Sequence, residues 1–280
     1  MILSVNAFYH GNKEIPPTTN WNKPTHDAQW NGSNLIKAIL GPNRFTYPKS
    51  LYAVRDCLYY ATQDKKDAII IDFFAGSGTT GHAVNLLNAE DGGNRTFIMV
   101  TNNEISEAEE KAFNKRNIHK GDLEWEERGI AKYVTFPRTK CAIEGIDING
   151  KILEGDYITL SGSVIHMADG FNSNVKYYKC EWTPRRPEEY LLSNVLCLHI
   201  KEMIELENSI EVDNEKIVII LNKDDIKNKI LDSSNYEKIE RIWLNQNIIL
   251  NTEEMQLLKK KGFRYIPREY FGQELKEAAE

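Results

Sequence analysis

"IIIDFFAGSGTTGHAV", residues 69–84, decides the fold class of this 280-residue chain. Three isoleucines run into Asp72, two phenylalanines follow, and glycines then stand at 76, 78 and 81. With "DA" before it, this continuous apolar run reads as a central parallel strand, buried on both faces. Glycines at its end let the backbone turn sharply and approach a ligand, and the helix starting near Thr79 offers free N–H groups. "GGNRTFIMV" (92–100) then supplies a turn and a second buried strand. The three elements form a βαβ unit, hence an α/β fold with a right-handed crossover.

Gly76-Ser77-Gly78-Thr79-Thr80-Gly81 satisfies the dinucleotide pattern G-x-G-x-x-G. A P-loop is excluded, because Gly78 is followed by two threonines and no lysine is placed to reach a phosphate. NAD fits poorly. Its pyrophosphate belongs at the helix N-terminus, where Asp72 would add a second negative charge. An acid at that place suits a ligand with a cationic group, such as the ammonium of an amino acid. Phe73 is assigned to the core, and Phe74 to an apolar wall for an adenine or thioether. S-adenosylmethionine (AdoMet) joins an adenosine, a ribose diol, an amino-acid end and a sulfonium. Glu104, in "FIMVTNNE", is placed to take the ribose hydroxyls, with Asn103 as the alternative.

Composition sets limits around this reading. Hydrophobic residues make up 41% and charged residues 27% of the chain, as in a globular protein. No apolar run reaches the roughly 18–20 residues that span a bilayer, and the first residues lack signal-peptide regions, so a cytoplasmic protein without a membrane partner is expected. The net charge of −6 argues against a strongly basic DNA-binding face on this chain. "KKK" at 259–261 reads as the C-terminal turn of a helix, where cations suit the macrodipole. Cys57, Cys141, Cys180 and Cys197 are too dispersed for a zinc site or a disulfide framework, so reduced, buried or semi-buried thiols and no metal are expected.

Four segments follow along the chain. Residues 1–32 read as an irregular arm. Residues 33–140 carry the ligand-binding α/β half-domain, opening with a helix "LIKAIL" capped by Ser33 or Asn34 and a helix from Leu51 capped by Ser50. In the second helix Leu51, Val54, Leu58 and Ala61 share one side. Residues 141–186 read as β-rich, the strands beginning with "KYVTF" (132–136) just upstream and including "VKYYKCEW" (175–182). Residues 187–280 form a small α/β appendage: a long helix from Pro187, strands "KIVIIL", "ERIWL" and "FRYIP", a helix capped by Asn251 with Glu254 at N3, and a final helix.

"DFFAGSGTTGHAV" (72–84) resembles the AdoMet-binding motif of DNA amino-methyltransferases, specifically the adenine-N6 enzymes of type III restriction–modification systems. "FTYPKSLYAVRDCL" (45–58) is similar to the motif just upstream in permuted members, and "NAEDGGNRTFIMVTNNE" (88–104) to the next turn and strand. The resemblance covers residues 33–104 and weakens beyond. It implies a Rossmann-like class I AdoMet-dependent methyltransferase fold with a largely parallel sheet. The cofactor-binding residues it then implies are Asp72, Phe74, Gly76, Gly78, Thr79, Thr80, Lys49 and Glu104. Methyl transfer in this family uses an Asp/Asn-Pro-Pro-aromatic loop that hydrogen-bonds the target N6 and stacks on the flipped base. The Pro-Pro pair here, in "EIPPTTN" (14–20), has Ile15 and Thr18 where the acceptor and the ring are needed. No residue is therefore assigned to catalysis. The expectation is an AdoMet-binding portion, inactive alone, acting on DNA through a complete enzyme with a missing N-terminal half or partner chain and a restriction subunit. An NAD-dependent oxidoreductase and a non-catalytic interaction or regulatory protein of methyltransferase fold are the rival readings.

Overall fold

A computed structural model describes residues 7–9, 13–15, 20–180, 198–231, 234 and 236–267. The chain divides into two compact units, Met1–Lys179 and Cys180–Glu280.

The first unit begins with structure where an irregular arm was expected. Strands β1 (Ala7–Tyr9) and β2 (Lys13–Ile15) form an antiparallel hairpin. The polar stretch after it is tied down by side chains. Lys23 Nζ and His26 Nε2 both reach Asp56 Oδ2, at 2.8 and 3.0 Å, and Trp21 packs its ring against His26 and Tyr60. A wide π-type turn at Gln29–Asn34 leads directly into α1 (Leu35–Leu40). Neither Ser33 nor Asn34 caps that helix, because both already lie inside the preceding turn; Asn34 has helical backbone angles and makes no capping bond. Helix α2 (Leu51–Thr62) starts at the expected cap, with Ser50 Oγ accepting from the Ala53 N–H at 3.3 Å. Its buried residues are Leu51, Tyr52, Arg55 and Asp56, while Ala61 is exposed. Val54 and Leu58 pack against the same core as Leu51, so three of the four expected positions share one side, and the buried Arg55–Asp56 pair widens it.

Strand β3 (Ile69–Asp72), helix α3 (Thr79–Asp91) and strand β4 (Thr96–Met99) form the βαβ unit, β3 and β4 pairing in parallel with Ile69 opposite Thr96 and Asp72 opposite Met99. One face of this pair packs on α3: a Cβ placed on Gly81 would lie 2.8 Å from Met99 Cε and 3.2 Å from Phe97 Cε2. The third glycine of the motif therefore serves helix–sheet packing. The other face is open. Ile69 is 68% exposed and Ile71 52%, and Ile98 and Val100 beside them are exposed as well. The expectation of a strand buried on both faces is overturned: α3 packs on one face, and the other is left exposed among the described residues.

After β4 come α4 (Glu107–Lys115), with a Ser106–Glu109 capping box, and α5 (Leu123–Arg128). "KYVTF" is not a strand. It lies in a π-type turn at Ala131–Thr135 that continues into α6 (Phe136–Glu144), where Val134, Thr135, Arg138 and Thr139 are buried at helical spacing. Tertiary packing overrode a short β-branched run. In residues 145–180 the strand structure is limited to the short hairpin strands β5 (Asp156–Tyr157) and β6 (Ile165–His166) and an isolated Ile146–Ile152 bridge, a 3-10 turn spans Met167–Asp169, and "VKYYKC" is without strand. Leu153, Tyr157 and Phe171 from this segment share one core with α1, α2, Ala83 and Leu86 of α3, and Ala142. Each fully buried Leu or Ile there contributes about 1.5–3 kcal/mol of transfer free energy.

The second unit contains a parallel sheet in the order β7 (Ile217–Ile220), β8 (Arg241–Leu244), β9 (Phe263–Tyr265). Both its faces are covered. Val218, Ile220, Ile242 and Leu244 point into a core with Ile226 and Leu258, whereas Ile219 and Trp243 join Ile200 and Ile204 of helix α7 (Ile200–Asn208). Asn251 and Glu254 form the expected capping box of α9 (Thr252–Lys261), the second helix after the short α8 (Lys223–Ile226). The long helix from Pro187, Trp182, Cys197 and the final helix fall wholly or partly outside the described residues. Of the other cysteines only Cys141 is buried as expected; Cys57 and Cys180 are exposed, Cys57 lying off the core-facing side of α2. Among those described, no helix is long and apolar enough to cross a membrane.

Candidate functional site

The turn between β3 and α3 is held from three sides. The parallel ladder continues past the strand ends, with Val100 N–H donating to Asp72 O at 2.8 Å and Ala75 N–H to Val100 O at 3.1 Å. Gly76 and Gly78 both take positive φ, at 50° and 75°, a region costly for residues with a Cβ. A Cβ at Gly78 would also stand 3.0 Å from Thr135 O. From beneath, Thr135 Oγ1 donates to Gly76 O at 2.6 Å, and Arg138 Nη1 donates to Thr79 Oγ1 at 2.7 Å and to Ser77 Oγ at 3.0 Å. Gly78 is the N-cap of α3 and offers no side-chain cap. The first N–H groups of a 13-residue helix are thus left without a capping side chain.

Asp72 closes the mouth of the turn. Its Oδ1 accepts from the Phe74 N–H at 3.0 Å and its Oδ2 from Thr80 Oγ1 at 2.6 Å, so the half-buried carboxylate is fixed in orientation. Thr80 acts on Asp72, and Thr79 is turned inward to Arg138. Phe74 is 93% exposed at the rim. Phe73, assigned to the core from sequence, is instead 65% exposed and continues the open face of Ile69 and Ile71. Lys49 is exposed beside buried Pro48. Glu104 has an exposed side chain, its carbonyl accepting from the Ile130 N–H at 2.8 Å. Asn103 is committed elsewhere, its amide donating to Glu126 O at 2.8 Å. The structure therefore gathers Asp72, Phe74, Gly76, Gly78, Thr79 and Thr80 in one turn. Arg138 and Thr135 lie under it, although no sequence pattern pointed to them.

Behind the turn, His82 is fully buried, with Nε2 2.8 Å from Tyr157 Oη and its ring edge-on to Tyr157 and Phe171. Burial, with the Arg138 charge adding to it, holds its pKa well below the usual imidazole value. A depressed imidazole pKa means that the unfolded chain binds the extra proton, so stability is present above about pH 6.5 and lost below it. Urea unfolding at pH 7.0 and 5.5 should show a loss approaching about 1.4 kcal/mol per pH unit below 6.5. His82→Gln should remove that component.

A family model described as DNA methylase matches residues 6–154, more than half of the chain. The chain belongs to the DNA methylase family. Within the match fall the glycine turn, Asp72 and Arg138. The type III restriction-modification enzyme StyLTI Mod subunit of Salmonella typhimurium is 40% identical over 94 residues, 34% of this chain and 14% of that protein. The EcoPI Mod subunit of Escherichia phage P1 is 28% identical over 166 residues, 58% of this chain and 23% of that protein. The type II methyltransferase M.KpnI of Klebsiella pneumoniae is 36% identical over 102 residues, 36% of this chain and 24% of that protein. This DNA methylase chain thus spans no more than about a quarter of the length of these curated relatives.

Proposed function

We propose that this chain is the AdoMet-binding portion of a site-specific DNA methyltransferase acting on adenine N6, on a Rossmann-like class I methyltransferase fold. Membership of the DNA methylase family and similarity to Mod subunits support the reaction class. The single observation that carries the cofactor is Asp72, locked by Thr80 at the mouth of a helix with no side-chain cap. An oriented carboxylate there fits an ammonium and disfavours a pyrophosphate. Bound AdoMet would supply an electrophilic methyl group on its sulfonium. Asp72 would hold the ammonium end, Gly76 and Gly78 would admit the ligand to the backbone, and Phe74 would form an apolar wall. Thr79 and Thr80 would shape the turn, Glu104 would take the ribose hydroxyls, and Lys49 would approach from the loop before α2.

Methyl transfer needs a second polypeptide region. The sequence holds no Asp/Asn-Pro-Pro-aromatic loop. The bare face of Ile69, Ile71, Phe73, Ile98 and Val100 is where the part bearing that loop would pack, since parallel sheets are covered on both faces. A restriction subunit and the DNA would be engaged by the complete enzyme.

Calorimetry with S-adenosylhomocysteine and with NADH tests the cofactor. Weak binding of the former and none of the latter is expected; NADH binding would establish the oxidoreductase rival. The purified chain should transfer no methyl group from labelled AdoMet to DNA, and clear transfer would refute the assignment of catalysis to another polypeptide.

A further inference from the structure

Arg138 is a fully buried cation without a counter-charge. No carboxylate pairs with it among the described residues, and its Nε and Nη2 have no hydrogen-bond partner. All its bonds come from Nη1, to Ser77 O at 3.2 Å, Ser77 Oγ at 3.0 Å and Thr79 Oγ1 at 2.7 Å. Burial pushes its pKa down to about 10, so it stays protonated at neutral pH. Burying an unpaired guanidinium is costly, and supporting a turn needs only a neutral donor. The retained charge calls for an anion at the turn. Helix α3 adds its own positive end at the same place, again without a capping side chain.

We propose that Arg138 is a positioning residue that makes the turn selective for a ligand carboxylate, so that the site reads both charges of an amino-acid end. Asp72, at the strand end, takes the ammonium. The backbone N–H groups at the start of α3, made electropositive by Arg138 through Ser77 and Thr79, take the carboxylate. The two opposite charges of the protein flank one turn, and a zwitterion is the chemistry that satisfies both. This inference rests on the AdoMet reading above and adds the part of the ligand that decides affinity.

Ligand-detected NMR titration of the full chain, which reads millimolar affinities, tests it with two probes: S-adenosylhomocysteine and its decarboxylated analogue, which keeps the ammonium. The wild type should prefer the carboxylate-bearing probe by about tenfold, the size of one charge-assisted contact. Arg138→Met should erase that preference while leaving the analogue's affinity unchanged, and Arg138→Lys should retain part of it. Ser77→Ala, which removes one of the contacts through which Arg138 acts but keeps the charge and the Thr79 contact, should lose part of the preference and no more. Equal wild-type affinity for the two probes overturns the proposal whether or not Arg138→Met folds. Equal losses for both probes in a folded Arg138→Met variant overturn it too and leave Arg138 as turn support. Binding of neither probe to the wild type overturns the AdoMet reading itself, and this proposal with it.

Discussion

Gly78→Val is expected to abolish S-adenosylhomocysteine binding, measured by calorimetry against the wild type. Two independent penalties converge at this position. A valine at φ +75° occupies the left-handed region, at a cost of about 1–2 kcal/mol. Its Cβ would also come within 3.0 Å of Thr135 O and 3.3 Å of Thr139 Oγ1, and overpacking of this kind costs about 1–3 kcal/mol. Thr135 and Thr139 belong to a buried segment and cannot retreat freely. The turn must move instead, carrying with it the Ser77 and Thr79 groups held by Arg138. A combined cost of about 2–5 kcal/mol corresponds to at least a 30-fold loss of affinity if it falls on the binding-competent turn. A melting temperature close to the wild type, combined with lost binding, would place the penalty in the turn. Unchanged affinity would show that the glycine serves the fold alone. Gly81→Val is the contrasting variant, since its Cβ meets Met99 and Phe97 and the damage should appear as lost stability.

Arg55→Met should destabilise the first unit by about 3–5 kcal/mol, the range for breaking a buried ion pair from one side. Arg55 is buried with Asp56 and Glu90, donating from Nε to Asp56 Oδ1 at 2.8 Å, from Nη1 to Glu90 Oε1, and from Nη1 to Ile158 O at 2.9 Å. It thereby ties α2 to α3 and to the β5–β6 segment. Burial pushes the Asp56 carboxyl upward, but hydrogen bonds from Lys23 and His26 and the Arg55 charge more than offset it and leave it below the usual range. Glu90 stays above its usual range because burial outweighs Arg55. Removing the guanidinium therefore strands Glu90 more than Asp56. Urea unfolding of Arg55→Met and of Arg55→Met with Glu90→Gln checks the assignment: the second change should recover part of the loss. A cost under about 1 kcal/mol for Arg55→Met would mean that the cluster behaves like an exposed pair.

Much of the site was legible in residue order. Positive φ at positions 76 and 78 follows from glycines at a strand–helix junction. Ser50 and Asn251 cap their helices as short-range hydrogen-bonding rules dictate, and the strands of the second unit lie within the short apolar and aromatic runs read as strands. These features depend on neighbours within a few positions, so local sequence determined them. The family resemblance rests on the same local stretch, because its signature is a turn.

Tertiary structure decided what long-range neighbours control. Whether "IIIDFF" is covered depends on what packs over each face of its sheet, and β3 carries exposed Ile69, Ile71 and Phe73 while the equally apolar strands β7 and β8 are enclosed. "KYVTF" became helical because Val134 is drawn into the core and Thr135, Arg138 and Thr139 under the glycine turn, at a spacing set by helix geometry. Arg138 itself looked like any surface arginine beside a proline. Its burial without a carboxylate is a property of the assembled core, since desolvation and the lack of a counter-charge arise only once α6 is folded beneath the turn.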